Sequence, residues 1–401
     1  MKHEARAIRN PAAAPAGAVY DAPGLTQAGF DAALAEISRW PGYAATPLVA
    51  LGALARSLGV ADVAYKDERG RFGLQSFKAL GGAYAVANVL RRRVAAETGR
   101  GGVTSSELLA GGFDAIVRAA TVTCATDGNH GRSVAWGAQL FGCRCVIFVH
   151  EHVSQGRREA IASYGAEVRE VKGNYDDAVH HAAATARANG WTVVSDTSYP
   201  GYREIPLDVM HGYGVLAAEV ESQCSQPPTH VFVQAGVGAL AAAVCAHFRL
   251  AWRERRPFFV AVEPLRANCV YRSLAAGRPV AVGGSLETVM AGLACGEVSD
   301  LAWDVLHTGA DAAIAVDDAY ALEAMRRLAR PVRGDAAIVA GETGASGLAA
   351  LLAASADASI RATLALGADS RVLLIGSEGD TDPQIYRRIV GRSAQQVLEQ
   401  G

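Results

Sequence analysis

Ala120-Thr121-Val122-Thr123-Cys124-Ala125-Thr126-Asp127-Gly128-Asn129-His130-Gly131 runs from small and β-branched residues into a glycine turn. Residues 120–125 read as a buried strand, and residues 131–141 carry the apolar spacing of a helix. The alternation continues outward. Strand patterns at 145–149, 167–171 and 192–195 are separated by helical patterns at 154–164 and 176–189. β-branched runs alternating with amphipathic helices predict βαβ units and a parallel sheet. A second series follows, with helix at 210–220, strand at 230–234, helix at 238–249, strands at 257–262 and 371–375, and an Ala-rich helix over 349–366. Upstream, residues up to about 27 read as an extended arm, 30–40 as a helix stopped by Pro41-Gly42, 61–66 as a strand and 75–93 as a helix. The polar, Gly-rich run 100–112 marks a crossing into a second lobe.

Composition narrows the classes. The 401 residues are 50% hydrophobic and 19% charged, which suits a globular chain of two or three domains. The net charge of -2 and the lack of a long single-sign run exclude a nucleic-acid-binding surface as the leading expectation. No uninterrupted apolar stretch reaches bilayer length, and residues 1–15 lack the apolar centre of a secretory signal. A cytoplasmic location without membrane contact is therefore expected. Seven scattered cysteines predict reduced core fillers, with no metal site; a pairing of Cys269 with Cys295 stays open.

Four segments carry chemistry. Lys78 lies in Ser76-Phe77-Lys78-Ala79-Leu80-Gly81-Gly82-Ala83, an amine among apolar neighbours at a helix start. Burial drives an ammonium toward its neutral, nucleophilic form, as a Schiff-base lysine requires. A lysine that lays its stem on the core and its head in water has the same local sequence. Gln234-Ala235-Gly236-Val237-Gly238-Ala239 joins a strand to an Ala-rich helix. Such a turn offers a phosphate the unpaired first amides of the helix and the positive end of its dipole. It lacks the Lys-Ser/Thr ending of a nucleotide P-loop. It also lacks the full dinucleotide fingerprint, although Glu263 sits near the acidic offset. In the turn after residue 125, Asp127 is an ionisable group or an N-cap, and His130 is a base or a packing residue. Ser377, in the loop after the last strand, offers a hydroxyl to a ring nitrogen, and Asp196, after residue 195, can meet an amine. An Asx-turn loop and a helix cap are the ordinary alternatives.

In this order the motifs resemble the tryptophan-synthase-β-like (fold type II) pyridoxal-phosphate enzymes. The chain is most similar within that group to the diaminopropionate ammonia-lyase family. The matching stretches are Trp40-Pro41-Gly42-Tyr43 with Thr46-Pro47-Leu48, Lys66-Asp67-Glu68 with Arg71-Phe72-Gly73-Leu74, and Phe77-Lys78-Ala79-Leu80-Gly81-Gly82. They continue with Ala125-Thr126-Asp127-Gly128-Asn129-His130-Gly131, Met290-Ala291-Gly292-Leu293-Ala294-Cys295-Gly296 and Glu378-Gly379-Asp380-Thr381-Asp382-Pro383. Aspartate before Gly-Asn is more particular to the ammonia-lyases than to the dehydratases. Ala239 departs from the family at a position where a hydroxyl residue is common.

The resemblance implies an α/β architecture of two lobes, each an open twisted sheet flanked by helices. Residues 1–92 and 209–401 would form a large cofactor-binding domain, and 93–208 a small mobile one. It implies pyridoxal 5′-phosphate as cofactor, a small amino-acid substrate and a homodimer. The implied reaction is β-elimination of ammonia from 2,3-diaminopropionate, giving pyruvate and ammonia. Lys78, Asp127 and Asp196 would be catalytic. Lys78, Phe77, Asn129, Gly236, Val237, Gly238, Ala239 and Ser377 would bind the cofactor. Thr126, Asp127, Gly128, Asn129 and Asp196 would bind the substrate. A threonine/serine dehydratase-like lyase, a β-substituent-exchanging synthase, a metabolite-binding protein and a nicotinamide-dependent oxidoreductase are the competing expectations.

Overall fold

The computed structural model describes residues 3–20, 22–126 and 128–399. The described residues group into two compact units. One comprises Met1–Gln27, Ala45–Ser76 and Leu216–Gly401, and the other Ala28–Ala44 and Phe77–Val215. The segment 93–208, expected as a small domain, falls inside the second.

The first unit is built on a seven-stranded sheet. Its strands are β1 (Ala5–Arg9), β2 (Leu48–Ala50), β3 (Asp62–Asp67), β8 (His230–Gln234), β9 (Phe258–Pro264), β10 (Ala312–Val316) and β11 (Arg371–Gly376), in spatial order β1-β10-β9-β8-β11-β3-β2. The second unit holds β4 (Thr121–Ala125), β5 (Arg144–His150), β6 (Glu167–Val171) and β7 (Thr192–Val193), in the order β6-β5-β4-β7 and parallel throughout. The five inner strands of the larger sheet are parallel, and every residue of β8 and β10 is buried. A parallel strand covered on both faces needs a continuous apolar run rather than alternation, which is why Val-Phe-Val in β8 signals its state so plainly.

Three differences from the sequence reading have physical causes. The N-terminal arm is not merely extended. Its β1 pairs antiparallel with β10, Ala5 opposite Val316 through Arg9 opposite Ala312. The Asn10 amide then donates to the His307 and Ala310 carbonyls at 2.8 and 2.7 Å. The arm thus covers a row of edge groups that would otherwise face solvent. β10 itself is Ala-Ala-Ile-Ala-Val, and three alanines hide its strand character. The expected single helix over 349–366 is two, Ser346–Ala356 and Ala358–Thr363. Asp357 interrupts it, accepting from the Ser359 and Ile360 amides at 2.9 and 3.3 Å as the cap of the second helix.

The residues shared with the resembling family at 46–71 converge on a buried ion network in the first unit. Lys66 Nζ lies 2.6 Å from Glu219 Oε2, and the Arg71 guanidinium contacts both oxygens of Glu219 at 2.7 Å. Arg71 also reaches Glu68 at 2.8 and 2.9 Å. The Thr46 hydroxyl donates to Glu68 at 2.6 Å, and its carbonyl accepts from Lys66 at 2.7 Å. Two cations and two carboxylates are thereby removed from water together, each paired. Among the described residues all seven cysteines are free thiols, Cys269 and Cys295 included. No described helix is long and apolar enough to cross a membrane.

Candidate active site

In the second unit the site is built on Lys78, the first residue of the helix Lys78–Thr98. Its Nζ donates to Asp196 Oδ2 at 2.5 Å and lies 5.7 and 6.0 Å from the ring centres of Phe77 and Tyr213. Those two rings are 4.6 Å apart. The amine therefore faces one carboxylate and two aromatic faces, all of which favour a cation. Close helix contact makes this possible. A Cβ at Gly81 would lie 2.4 Å from the Tyr213 ring, and one at Gly212 would lie 2.5 Å from the Leu80 carbonyl. Tyr213 was invisible in the sequence as a site residue. The glycines on either side of it, at 212 and 214, were its signal of close approach.

Asp196 follows β7. Burial pushes its carboxyl up, but the charges of Lys78 and His130 and the Lys78 hydrogen bond outweigh this and hold it well below the usual carboxylate range. His130 is buried. Its Nε2 is 2.8 Å from the Val194 carbonyl, which can only accept, so Nε2 carries a proton. Its Nδ1 is 3.7 Å from Asp196 Oδ2. The histidine thus packs behind the turn, with Nδ1 near the aspartate but beyond hydrogen-bond range.

The turn after β4 is held by Thr126, whose Oγ1 accepts from the Gly128 and Gly131 amides at 3.0 and 3.1 Å. Asn129 opens the helix Asn129–Phe141. Asp127 lies outside the described residues.

In the first unit, β8 leads through the Gly236–Val237–Gly238 turn to the helix Ala239–Trp252. The Gly238 amide closes the turn on the Ala235 carbonyl at 2.9 Å, and the Ala235 amide donates to Val262 at 3.0 Å. Gly238 has φ +96°, and a Cβ there would lie 2.7 Å from Ala302 Cβ, so neither backbone nor space admits a side chain.

β11 lies beside β8 and parallel to it, so their following loops leave the same, C-terminal edge of the sheet, where open α/β sheets bind ligands. Ser377, just past β11, is 1% exposed, and its Oγ has no hydrogen-bond partner. Gln234 Nε2 ties the two strand ends by donating to the Ile375 carbonyl at 3.0 Å. Glu378 adds the loop 341–345, accepting from the Thr343 amide at 3.2 Å, while its carbonyl receives the Gly341 amide at 3.0 Å.

These features fit pyridoxal phosphate on their own terms. An orphaned buried hydroxyl calls for a partner such as a ring nitrogen. A glycine turn at a helix N-terminus suits a phosphate, and an amine at a helix start suits an aldehyde. Glu263 removes the dinucleotide alternative. Its carboxylate accepts from the Val270 and Tyr271 amides at 3.0 and 2.7 Å, at the head of the helix Cys269–Ala276, and is engaged inside the protein.

The comparisons agree with this class. The family model described as pyridoxal-phosphate dependent enzyme matches residues 39–377. Diaminopropionate ammonia-lyase of Escherichia coli strain K12 is 43% identical over 357 residues, 87% of this chain and 88% of that one. The crystal structure of the holo form of the E. coli enzyme superposes with a TM-score of 0.88 at 38% identity, covering 97% of both chains. The same enzyme in complex with an aminoacrylate–pyridoxal-phosphate azomethine reaction intermediate gives 0.85 at 37% identity, again over 97% of each chain. The chain belongs to the diaminopropionate ammonia-lyase family of pyridoxal-phosphate-dependent enzymes.

Proposed function

We propose that the protein eliminates ammonia from 2,3-diaminopropionate and yields pyruvate. The observation that carries this reading is the Lys78–Asp196 pair. An amine competent to hold the cofactor lies 2.5 Å from a carboxylate that stays ionised, in a chain 43% identical to an ammonia-lyase. A dehydratase expelling hydroxide has no need of an anion there. An enzyme expelling ammonia from a protonated β-amine does.

Bound pyridoxal phosphate supplies the electron sink that acidifies the substrate's α-carbon. The chain supplies the rest. Lys78 would hold the cofactor covalently at rest, and its Nζ, when free, would take the substrate's α-proton from one face. Asp196 faces the β-amine as a counter-ion and keeps it protonated, so the Cβ–N bond breaks with ammonia as the leaving group. The enamine left after release adds water and loses a second ammonia to give pyruvate. The Gly236–Ala239 turn would hold the phosphate through amides other than that of Gly238, which is engaged by the Ala235 carbonyl; Asn129 would bond the 3′-oxygen, Phe77 would border the ring, and the Ser377 hydroxyl would serve the ring nitrogen as a neutral partner. The turn from Thr126 to Asn129 receives the substrate carboxylate. Because the Gly128 amide is engaged by Thr126, that role falls to the other groups of the turn. Asp127 acts as the base for the opposite face, which would allow both enantiomers to react. A homodimer, a cytoplasmic location and a mobile small domain over residues 93–208 belong to the same proposal.

The purified protein should show cofactor absorbance near the visible that Lys78→Ala loses. It should release pyruvate from 2,3-diaminopropionate faster than from serine or threonine. Cofactor-loaded protein that yields no pyruvate from diaminopropionate would overturn the reading.

A further inference from the structure

Glu263 is the penultimate residue of β9, its side chain is fully buried, and the reaction makes no use of it. Its surroundings tie it to the phosphate turn by two routes. Through the backbone, the preceding residue, Val262, accepts the Ala235 amide at 3.0 Å. Through side chains, the Cys269 thiol sits between two acceptors, 3.6 Å from Glu263 Oε1 and 3.5 Å from the Gly236 carbonyl. A thiol has one proton to give. With Glu263 ionised, that proton goes to the carboxylate, and the Gly236 carbonyl loses its donor. With Glu263 protonated, the carboxyl donates to sulfur and the thiol proton turns to Gly236.

We propose that Glu263 is a positioning residue for the cofactor phosphate, acting through the Cys269 thiol on the Gly236 carbonyl of the turn. The inference rests on the proposed role of that turn.

The surroundings allow both states near neutrality. Burial raises the carboxyl from its ordinary range to about 7, opposed by the Tyr271 and Val270 amides and the thiol. Burial likewise pushes the Cys269 thiol up, so it stays a donor. The titratable groups acting on this pair are Cys269 itself, from the helix Cys269–Ala276, and Cys295, from the 290–296 loop. The register partner on β10 is Ala315, which carries no charge.

The test is pyridoxal phosphate affinity of the apo-protein from pH 5.5 to 8.5, together with the ³¹P shift of the bound phosphate. Wild type, Glu263→Gln and Cys269→Ala are compared. The carboxamide of Glu263→Gln donates to sulfur at every pH, and Cys269→Ala cuts the relay while leaving both backbone contacts of Glu263. Relative to either variant, wild-type affinity should weaken about threefold to tenfold as pH rises through 7, the effect of one lost hydrogen bond. The wild-type ³¹P shift should move over the same interval while those of the variants do not. Affinity ratios that stay constant with pH for both variants would overturn the inference. If Glu263→Gln does not fold, Cys269→Ala decides alone. Failure of wild type to bind the cofactor at any pH would instead remove the proposed function, and this inference with it.

Discussion

Glu219→Gln tests the buried network that anchors β2 and β3. In wild type Lys66 and Arg71 are balanced by Glu68 and Glu219, and both sides of the Lys66–Glu219 contact are buried, at 0% and 3% exposure. Burial pushes the Glu219 carboxyl up, but Arg71 and Lys66 together bring it below its ordinary range. The substitution keeps the shape and leaves one unbalanced positive charge. Stranding such a charge costs about 3–5 kcal/mol. A ceiling follows from Lys66, which can escape the imbalance by losing its proton. From an ordinary value of 10.5, that costs about 4.8 kcal/mol at pH 7. In this limit the folded variant carries one proton fewer than its unfolded chain, so its stability must rise with pH by about 1.4 kcal/mol per unit. In wild type burial also lowers Lys66, but the Glu68 and Glu219 charges oppose this, so its rise is smaller. Urea unfolding should therefore show a loss of about 3–5 kcal/mol at pH 7, with about 2.7 kcal/mol of it recovered at pH 9. Adding Lys66→Met to Glu219→Gln restores neutrality and should recover more than half of the loss at pH 7. A deficit under about 1 kcal/mol, or one equal at both pH values, would refute the network's role.

Asp196→Asn should retain the cofactor and lower kcat/KM for 2,3-diaminopropionate by about 100-fold to 1,000-fold in steady-state pyruvate assays. In the cofactor-free protein the Lys78 ammonium holds Asp196 well below the ordinary carboxylate range, so Asp196 should not titrate between pH 5 and 8 there, and a carboxyl titration in that interval that Asp196→Asn abolishes would contradict this. Asp127→Asn should depress turnover of one enantiomer more than the other; equal kinetics for both would reduce Asp127 to a cap. Gly238→Ala, at φ +96° and with 2.7 Å to Ala302 Cβ, should weaken pyridoxal phosphate binding by about tenfold to 100-fold in a cofactor titration.

The alternation of strand and helix was legible because parallel strands covered on both faces need β-branched runs, and β5, β8 and β11 have them. β10 escaped because alanine fills a covered strand as well as it fills a helix, and only its neighbours in the sheet decide between them. The site divides along the same line. Lys78, Asp196 and Ser377 could be chosen by residue type and local setting, yet their partners could not. Lys78 and Asp196 are 118 residues apart, and their hydrogen bond exists only through the fold. The sequence reading placed Asp196 opposite a substrate amine; the structure places it opposite the lysine amine. The two statements support each other chemically. A carboxylate that accepts one ammonium can accept another of similar size, so a charged β-amine entering the site would meet a counter-ion already ionised. Tyr213 and Glu263 lay beyond local reading for the opposite reason. One sits in an unbroken helical pattern, and the other, next to the end of a strand, offered only the acidic offset of an incomplete dinucleotide fingerprint. What marks them is what they touch: the amine at 78 for the tyrosine, and the thiol behind the phosphate turn for the glutamate.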